Sequence, residues 1–402
     1  MDFTYCKLRD ILISIHSGGT PSTTIKEYWG GPYKWLSSGE TGQRFISDTV
    51  DTITERGINE SSTKLAKRGS VVMACAGQGK TRGQTSYLLD DMYVNQSVIV
   101  LNTNRKIVLP LYLFYDLTGR YEELRGGSDA SSTRGSITTT SLKTLAFRYP
   151  AIREQEKIVS ILYAYDNLIE VNNKRIKVLE QMAENLYKEW FVRFRFPGHE
   201  TAEFENGIPE GWAYRRADEV IDFNPTLKTG NQTEFTIIPM EALSTNSMVL
   251  DSGCFVRQDS ISGRRSQNGD TLLAKITPCL ENGKTGFVMG MPENEVLGGS
   301  TEFVVMRSKA LTPHYVYCIA RSYYFRQTAI LSMNGADGRQ RVDEEKLKST
   351  KIVQPEKTVL DRFETIVTPI FDGVYQMVQE NKNLIQQRDL LLPRLMSGKL
   401  EV

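Results

Sequence analysis

Between Pro150 and Pro197, seam residues recur in alternating steps of four and three: Ile158, Leu162, Tyr165, Ile169, Asn172, Ile176, Leu179, Ala183, Leu186 and Trp190. A seam held over more than four heptads predicts a long helix packed on another helix. At about 1.5 Å of rise per residue, residues 152–191 would form a rod roughly 60 Å long. A second stripe closes the chain between Asp361 and Met396, through Val367, Ile370, Phe371, Val374, Met377, Val378, Asn381, Leu384, Ile385, Leu391, Leu392 and Leu395. Asn381 lies in this stripe as Asn172 lies in the first. A buried Asn weakens a seam but sets its register, so the matched pair predicts two antiparallel helices. Ordinary core helices are the alternative that the stripes leave open. Pro369 falls inside the second rod and predicts a break near Thr368, because an interior proline costs about 3 kcal/mol.

The rods leave room for more than one globular domain, since 402 residues suffice for two to three domains with cores of their own. With 40% hydrophobic and 24% charged residues, neither disorder nor a membrane protein is indicated. No apolar run has the length of a membrane span, and Asp2, Arg9 and Asp10 occupy the place of a signal core. The five cysteines, at 6, 75, 254, 279 and 318, form no CxxC and read as buried free thiols in a reducing, cytoplasmic setting. Three histidines, at 16, 199 and 314, cannot make a His-rich site, so no metal is expected.

The remaining sequence repeats. Residues 1–149 are mixed and loop-rich, with strands expected near 70–76 and 97–101, a helix over 110–124 and a strand over 142–149. Gly69-Ser70-Val71-Val72-Met73-Ala74 returns as Gly269-Asp270-Thr271-Leu272-Leu273-Ala274, an offset of 200. Arg134, Leu142 and Pro150 return as Arg339, Leu347 and Pro355 at an offset of 205, and the seam asparagines stand 209 apart. Offsets that grow through small insertions mean one duplicated unit, a globular domain followed by a rod. The segments are 1–149, 150–197, 198–354 and 355–402. The expected fold class is α+β: two similar mixed α/β domains, separated by two long helices in an antiparallel coiled coil, related by a pseudo-two-fold internal repeat.

Pseudo-two-fold symmetry suits double-stranded DNA, whose own approximate two-fold axes dimeric readers match. Because the copies differ in their loops, they would read two different half-sites. The net charge of +1 conceals a local basic run. From Ser61 to Leu89 there is no acid, while Lys64, Lys67, Arg68, Lys80 and Arg82 are positive. For base edges, Arg suits guanine and Asn or Gln suits adenine. Polar loops offer Gln78, Gln84 and Arg134 in copy one, and Arg264, Arg265, Gln267, Arg339, Gln340 and Arg341 in copy two, with Lys284 in a shared glycine-lysine-threonine turn.

Other chemistries fit less well. Ala74-Cys75-Ala76-Gly77-Gln78-Gly79-Lys80-Thr81 has Ala74 where a phosphate-binding loop requires glycine, and a poor helix start follows it. Asn224-Pro225-Thr226-Leu227 lacks the second proline and the aromatic of adenine methyltransferases. Glu344-Glu345-Lys346 reads as a solvated helix face. A nucleotide hydrolase using Lys80 and a self-sufficient DNA methyltransferase remain the alternative readings.

Several strings resemble the specificity, or DNA-recognition, subunit of type I restriction-modification systems. They are Gly19-Thr20-Pro21-Ser22 with Trp35-Leu36 downstream, Pro150-Ala151-Ile152-Arg153-Glu154-Gln155, Asn185-Leu186-Tyr187-Lys188-Glu189-Trp190-Phe191-Val192, Ile208-Pro209-Glu210-Gly211-Trp212 and Leu391-Leu392-Pro393-Arg394-Leu395-Met396-Ser397-Gly398. The likeness spans nearly the whole chain, although Pro355 is followed by Glu356-Lys357-Thr358 without the Glu-Gln of the first copy. The resemblance implies a non-catalytic subunit whose two target-recognition domains each read half of a bipartite site, with the helices setting the gap. It implies two modification subunits, which carry S-adenosylmethionine, and restriction subunits, which use ATP; this chain itself would bind no cofactor.

Overall fold

The computed structural model describes the chain except for Gln78, residues 130–134 and Asp337, and for residues 127–129 it describes the backbone alone. The chain divides into two compact units, Met1–Leu168 with Leu384–Val402, and Ile169–Asn383. Both divisions fall inside a long helix, so each unit incorporates part of each helix.

In the first unit a ribbon pairs Thr4–Lys7 with Ala146–Tyr149. A five-stranded sheet runs in the order Leu12–Ser17, Val98–Thr103, Val71–Ala74, Thr85–Leu88, Phe45–Ile46. A four-stranded sheet runs Asp51–Ile53, Trp29–Leu36, Met92–Val94, Lys64–Ala66. Successive side chains of a strand face opposite sides. Val71 and Met73 therefore enter one core with Ile99, Leu101 and Tyr112, while Val72 enters another with Leu36, Ile46 and Val100. Burial on both faces is why this strand reads as an unbroken apolar run rather than an alternating one.

The second unit repeats this plan with one edge strand fewer: where Phe45–Ile46 pairs with Thr85–Leu88, Val249 makes only an isolated parallel bridge to Phe287. Its ribbon is Ala213–Arg216 with Lys351–Gln354. One sheet runs Ile221–Phe223, Phe303–Ser308, Thr271–Ala274, Thr285–Phe287, and the other Val256–Gln258, Phe235–Ile238, Leu297–Gly299, Arg264–Ser266. Register repeats too: Val98 faces Ala74 and Phe303 faces Ala274, while Met73 faces Thr85 and Leu273 faces Thr285.

The long helices are Ile152–Tyr187, which ends in a π-turn at Lys188–Val192, and Lys357–Met396. Each expected seam residue of the first helix is buried or half-buried. In the second unit the Asn172 amide meets Asn381 at 3.0 Å, and the Trp190 and Phe363 rings lie 6.0 Å apart. In the first unit Asp166 meets Arg388 at 2.6 Å, and Ile158 and Leu162 share a core with Leu392 and Leu395. Partner numbers fall as the first helix's numbers rise, so the pair is antiparallel.

Three local expectations are corrected. The helix does not break at Pro369 but runs on from Lys357 to Met396. Proline removes one backbone bond there, whereas Val367, Phe371 and Val374 beside it are wholly buried, and burial of each such side chain is worth about 1.5–3 kcal/mol. The expected 110–124 helix is two helices, Pro110–Gly119 and Tyr121–Asp129. Between them the Arg120 guanidinium bonds Glu123 and the Ala146 carbonyl. The expected 142–149 strand is a short helix, Thr139–Thr144, followed by Ala146–Tyr149. Thr138 and Ser141 form a capping box that starts the helix, a local bond that competes with extended backbone.

Gln155, in the first helical turn after Pro150, is wholly buried. It accepts from the Leu109 amide and donates to the Ile107 and Pro150 carbonyls, each at 2.9 Å. The equivalent position in the second copy is Leu360, also buried, which accounts for the missing Glu-Gln after Pro355. We predict that Gln155→Leu will strand these backbone groups and destabilise the chain by about 1–3 kcal/mol. A urea midpoint indistinguishable from the parent's would show the three bonds to be dispensable.

Candidate nucleic-acid interface

The glycine-rich run after Ala74 is the loop of an antiparallel hairpin between Val71–Ala74 and Thr85–Leu88. A nucleotide phosphate loop leads from strand to helix, because the helix N-terminus supplies the amides and dipole that hold phosphate. Here the chain returns as a strand. The Gly83 amide bonds the Ala74 carbonyl and the Ala74 amide the Gln84 carbonyl, each at 2.9 Å. Gly77 and Gly79 take positive φ of 130° and 68°, which lets the loop turn back.

Three segments meet at this end of the first unit. The Cys75 amide bonds the Ser97 carbonyl at 2.8 Å, and the Ile137 amide bonds the Cys75 carbonyl at 2.9 Å. The second unit makes the same two bonds, from Lys275 to Glu302 and from Val342 to Lys275, each at 2.9 Å. The hairpin, the turn before the long central strand and the segment before the short helix are thus gathered twice by one backbone scheme. The side chains on them differ.

In the first unit Lys80 is exposed while its carbonyl accepts from the Tyr121 hydroxyl at 2.7 Å. That hydroxyl also accepts from Arg125 at 2.9 Å. Arg82 is buried and donates to the Gly135 carbonyl at 2.8 Å, so it fastens the hairpin to the third segment. Gln84 is half-buried. Gln78 and Arg134 lie outside the described residues. The basic run is divided in space: Lys64, Lys67 and Arg68 are exposed, Lys67 and Arg68 just before the strand Val71–Ala74, and Lys80 lies beyond its end. Four residues of strand separate the two by roughly 13 Å.

The second unit is laced with ion pairs. Glu344 accepts from Arg264 and Lys275, each at 2.9 Å, and from the Asn224 amide at 2.8 Å. It is therefore a hub of the site; of the solvated helix face expected there, Glu345 and Lys346 are exposed on the helix Glu344–Ser349, and only Glu344 is corrected. Arg341 grips Glu302 with two nitrogens, at 2.7 and 2.9 Å, and this bond holds the Glu302 carboxyl below its usual range. Arg265 donates to the Leu227 carbonyl, Gln267 to Asn294 at 3.5 Å and Lys284 to Met240 at 3.1 Å. Arg339 is exposed and Gln340 half-buried.

Of the sequence candidates, Arg264, Arg339, Gln340 and Arg341 are brought to the second cluster, and Lys80, Arg82 and Gln84 to the first. Sequence reasoning missed Lys275, Glu302 and Glu344. The offset of 200 that pairs Cys75 with Lys275 was the available signal, since it marks a charge placed on a shared backbone position.

Residues 1–181 match the family described as type I restriction modification DNA specificity domain. The type I restriction enzyme MjaIX specificity subunit of Methanocaldococcus jannaschii is 24% identical, over 100% of this chain and 94% of its own. The MjaX specificity subunit of the same organism is 30% identical over 77% of this chain and 81% of its own. The crystal structure of the S subunit of a type I restriction-modification system from M. genitalium is similar with a TM-score of 0.58 at 13% identity, covering 98% of this chain and 96% of that one. That likeness shows the fold.

Glu344 is the carboxylate on which three donors depend. Glu344→Ala is expected to destabilise the second unit by about 1–3 kcal/mol, because Arg264 and Lys275 lose a half-buried partner. Thermal unfolding in 1 M salt should narrow the difference, since screening weakens such pairs. An unshifted melting temperature at low salt would show the hub to be without structural weight.

Proposed function

The chain belongs to the specificity subunits of type I restriction-modification systems, and from that membership we propose how its two loop clusters and its helices divide the work of reading DNA. Each unit presents one cluster to double-stranded DNA and reads one half of a split, asymmetric site. The observation that carries this is the repeated backbone scheme around Cys75 and Lys275 bearing different side chains. A shared frame with unlike chemistry is what two half-sites of unlike sequence require.

In this reading residues 1–149 and 198–354 are the recognition domains, and 150–197 with 355–402 form the spacer. Exposed Lys64, Lys67, Arg68 and Lys80 take backbone phosphates, whose contacts position without reading sequence. Base reading falls to Gln84 in the first cluster and to Arg339, Gln340 and the ion-paired Arg264 and Arg341 in the second. An arginine held bidentately by a carboxylate is oriented before DNA arrives, which reduces the ordering that binding would otherwise require.

The methyl transfer itself is assigned to two modification subunits docked on the helices, which hold S-adenosylmethionine. Restriction subunits using ATP complete the cleaving complex. This chain is the recognition scaffold and carries no catalytic group of its own, in the cytoplasm where its DNA lies. The hairpin after Ala74 supports that assignment, because its loop leads into a strand instead of a phosphate-binding helix.

Two experiments test the division of labour. Methylated adenines are mapped in cells that express this chain with modification subunits. Replacing residues 1–149 by another family member's first domain should change one half of the methylated motif and leave the other intact; a change in both halves would overturn the two-reader proposal. The helices are tested as a ruler by adding one heptad to each, after Leu168 and after Asn383. Seven residues preserve the seam phase and add about 10 Å, close to three base-pair steps. The motif should keep both half-sequences with a gap about three base pairs longer. An active variant that methylates the original motif would show that something other than the helices measures the gap.

A further inference from the structure

At the end of the strand Val71–Ala74 away from the hairpin, the first unit holds a cleft of about 310 Å³. Lys67, Arg68 and Arg105 line it, and no carboxylate does. The Asp91 carboxylate, outside the lining, accepts the Arg68 backbone amide at 2.7 Å. Pro110, which opens a ten-residue helix, also lines the cleft, so the positive end of that helix dipole lies there.

The polar groups beneath the cations are unequal. The Asn102 side chain accepts from Ser70 at 2.7 Å and donates to Ser14 at 2.9 Å. Thr103, which lines the cleft, is 4% exposed, and its hydroxyl has no hydrogen-bond partner. A buried hydroxyl is ordinarily satisfied, so this one, in a cleft lined by three cations, is a donor that an anion bound there could use.

The second copy keeps the frame and drops the charge. Gly69 and Gly269 take nearly the same φ, 85° and 86°, and Pro313 opens a helix as Pro110 does. The residues equivalent to Lys67, Arg68, Arg105 and Thr103 are Gln267, Asn268, Ala310 and Ser308. Where copy one has the neutral Ser70–Asn102 pair, copy two has Asp270 in a bidentate ion pair with Arg307, at 2.7 and 2.8 Å. One copy neutralises its own cation, and the other leaves three cations for something else. A Cβ on Gly69 would stand 2.6 Å from the Arg105 guanidinium, so the glycine lets that group lie against the backbone.

We propose that the Lys67–Arg68–Arg105 cleft is an oxyanion site of the first copy alone, binding one phosphate group with the Thr103 hydroxyl as donor. The phosphate is a backbone phosphate of the bound DNA; that source, though not the site, rests on the function proposed above. The recognition of the two half-sites is then unequal in its electrostatics: the first gains a phosphate clamp that the second lacks.

The test uses the full-length chain, the variants Arg105→Gln, Lys67→Gln and Thr103→Val, inorganic phosphate, and duplex DNA with the mapped motif or a scrambled one. Circular dichroism verifies that each variant is folded. Phosphate, compared with chloride at equal ionic strength, should raise the parent's melting temperature and have little effect on Arg105→Gln or Thr103→Val. The Lys67→Gln/Arg105→Gln double variant should bind cognate and scrambled DNA more weakly by the same factor, with a salt slope shallower by about 0.9. Between 50 and 200 mM salt it should lose about threefold less affinity than the parent. A phosphate response with an unchanged DNA slope would overturn DNA as the source and leave a site for free phosphate. No phosphate response and no change in slope would overturn the site. If the parent binds phosphate but no DNA, the proposed function fails while the cleft stands.

Discussion

Two buried amides hold the register of this protein. Asn172 and Asn381 are 1% and 7% exposed; Asn172 donates to Asn381 and Glu380, and Asn381 donates to Asn173 at 2.9 Å. Sliding either helix by one heptad would part the amides, setting Asn172 against Val374 or Arg388 and Asn381 against Tyr165 or Leu179, and each donor or acceptor left unmatched costs about 1–3 kcal/mol. In the first unit Asp166 adds a second constraint. It is buried and accepts from Arg388, Arg44 and the Tyr115 hydroxyl, so helix, sheet loop and domain helix share one carboxylate. A buried ion pair is a poor source of net stability, yet losing one partner is severe, which makes it a device for alignment. An apolar seam alone would tolerate slippage, and a scaffold that spaces two half-sites must not slip.

The repeat shows how one backbone supports two chemistries. Apart from one edge strand, strand order and register coincide between the units, as do the backbone bonds around Cys75 and Lys275, because they depend on hydrogen-bonded geometry and apolar volume rather than on particular polar groups. Polar pairs diverge on that frame. Ser70–Asn102 becomes Asp270–Arg307, Gln155 becomes Leu360, and Cys75 becomes Lys275 bound to Glu344. Each exchange keeps its site satisfied in its own way. The first cluster is left with an exposed lysine, and the second with arginines already committed to carboxylates.

The division between sequence and structure follows from the range of the interactions. Periodicity belongs to the chain itself: steps of four and three place residues on one helix face whatever surrounds them, so both rods and their asparagines were legible. The duplication was legible for a related reason, since matched apolar runs and glycines at a fixed offset survive where polar residues drift. Local propensity misled at three points, Pro369, Arg120 and Thr138–Ser141, where packing or a side-chain bond outweighed the residue's usual preference.

Which candidate residues keep an exposed side chain was settled only by the tertiary structure. In the sequence Lys67, Lys80 and Arg82 are neighbours in one acid-free run. Folding sends Lys67 and Lys80 to opposite ends of a strand and buries Arg82 against the Gly135 carbonyl. Arg264 and Glu344 stand 80 residues apart, and no spacing rule joins them. The same holds for Arg105, which shares a cleft with Lys67 only because two strands and a turn converge. An arginine's availability depends on whether a carboxylate or carbonyl lies within about 3 Å, a distance that the fold sets and the order of residues does not.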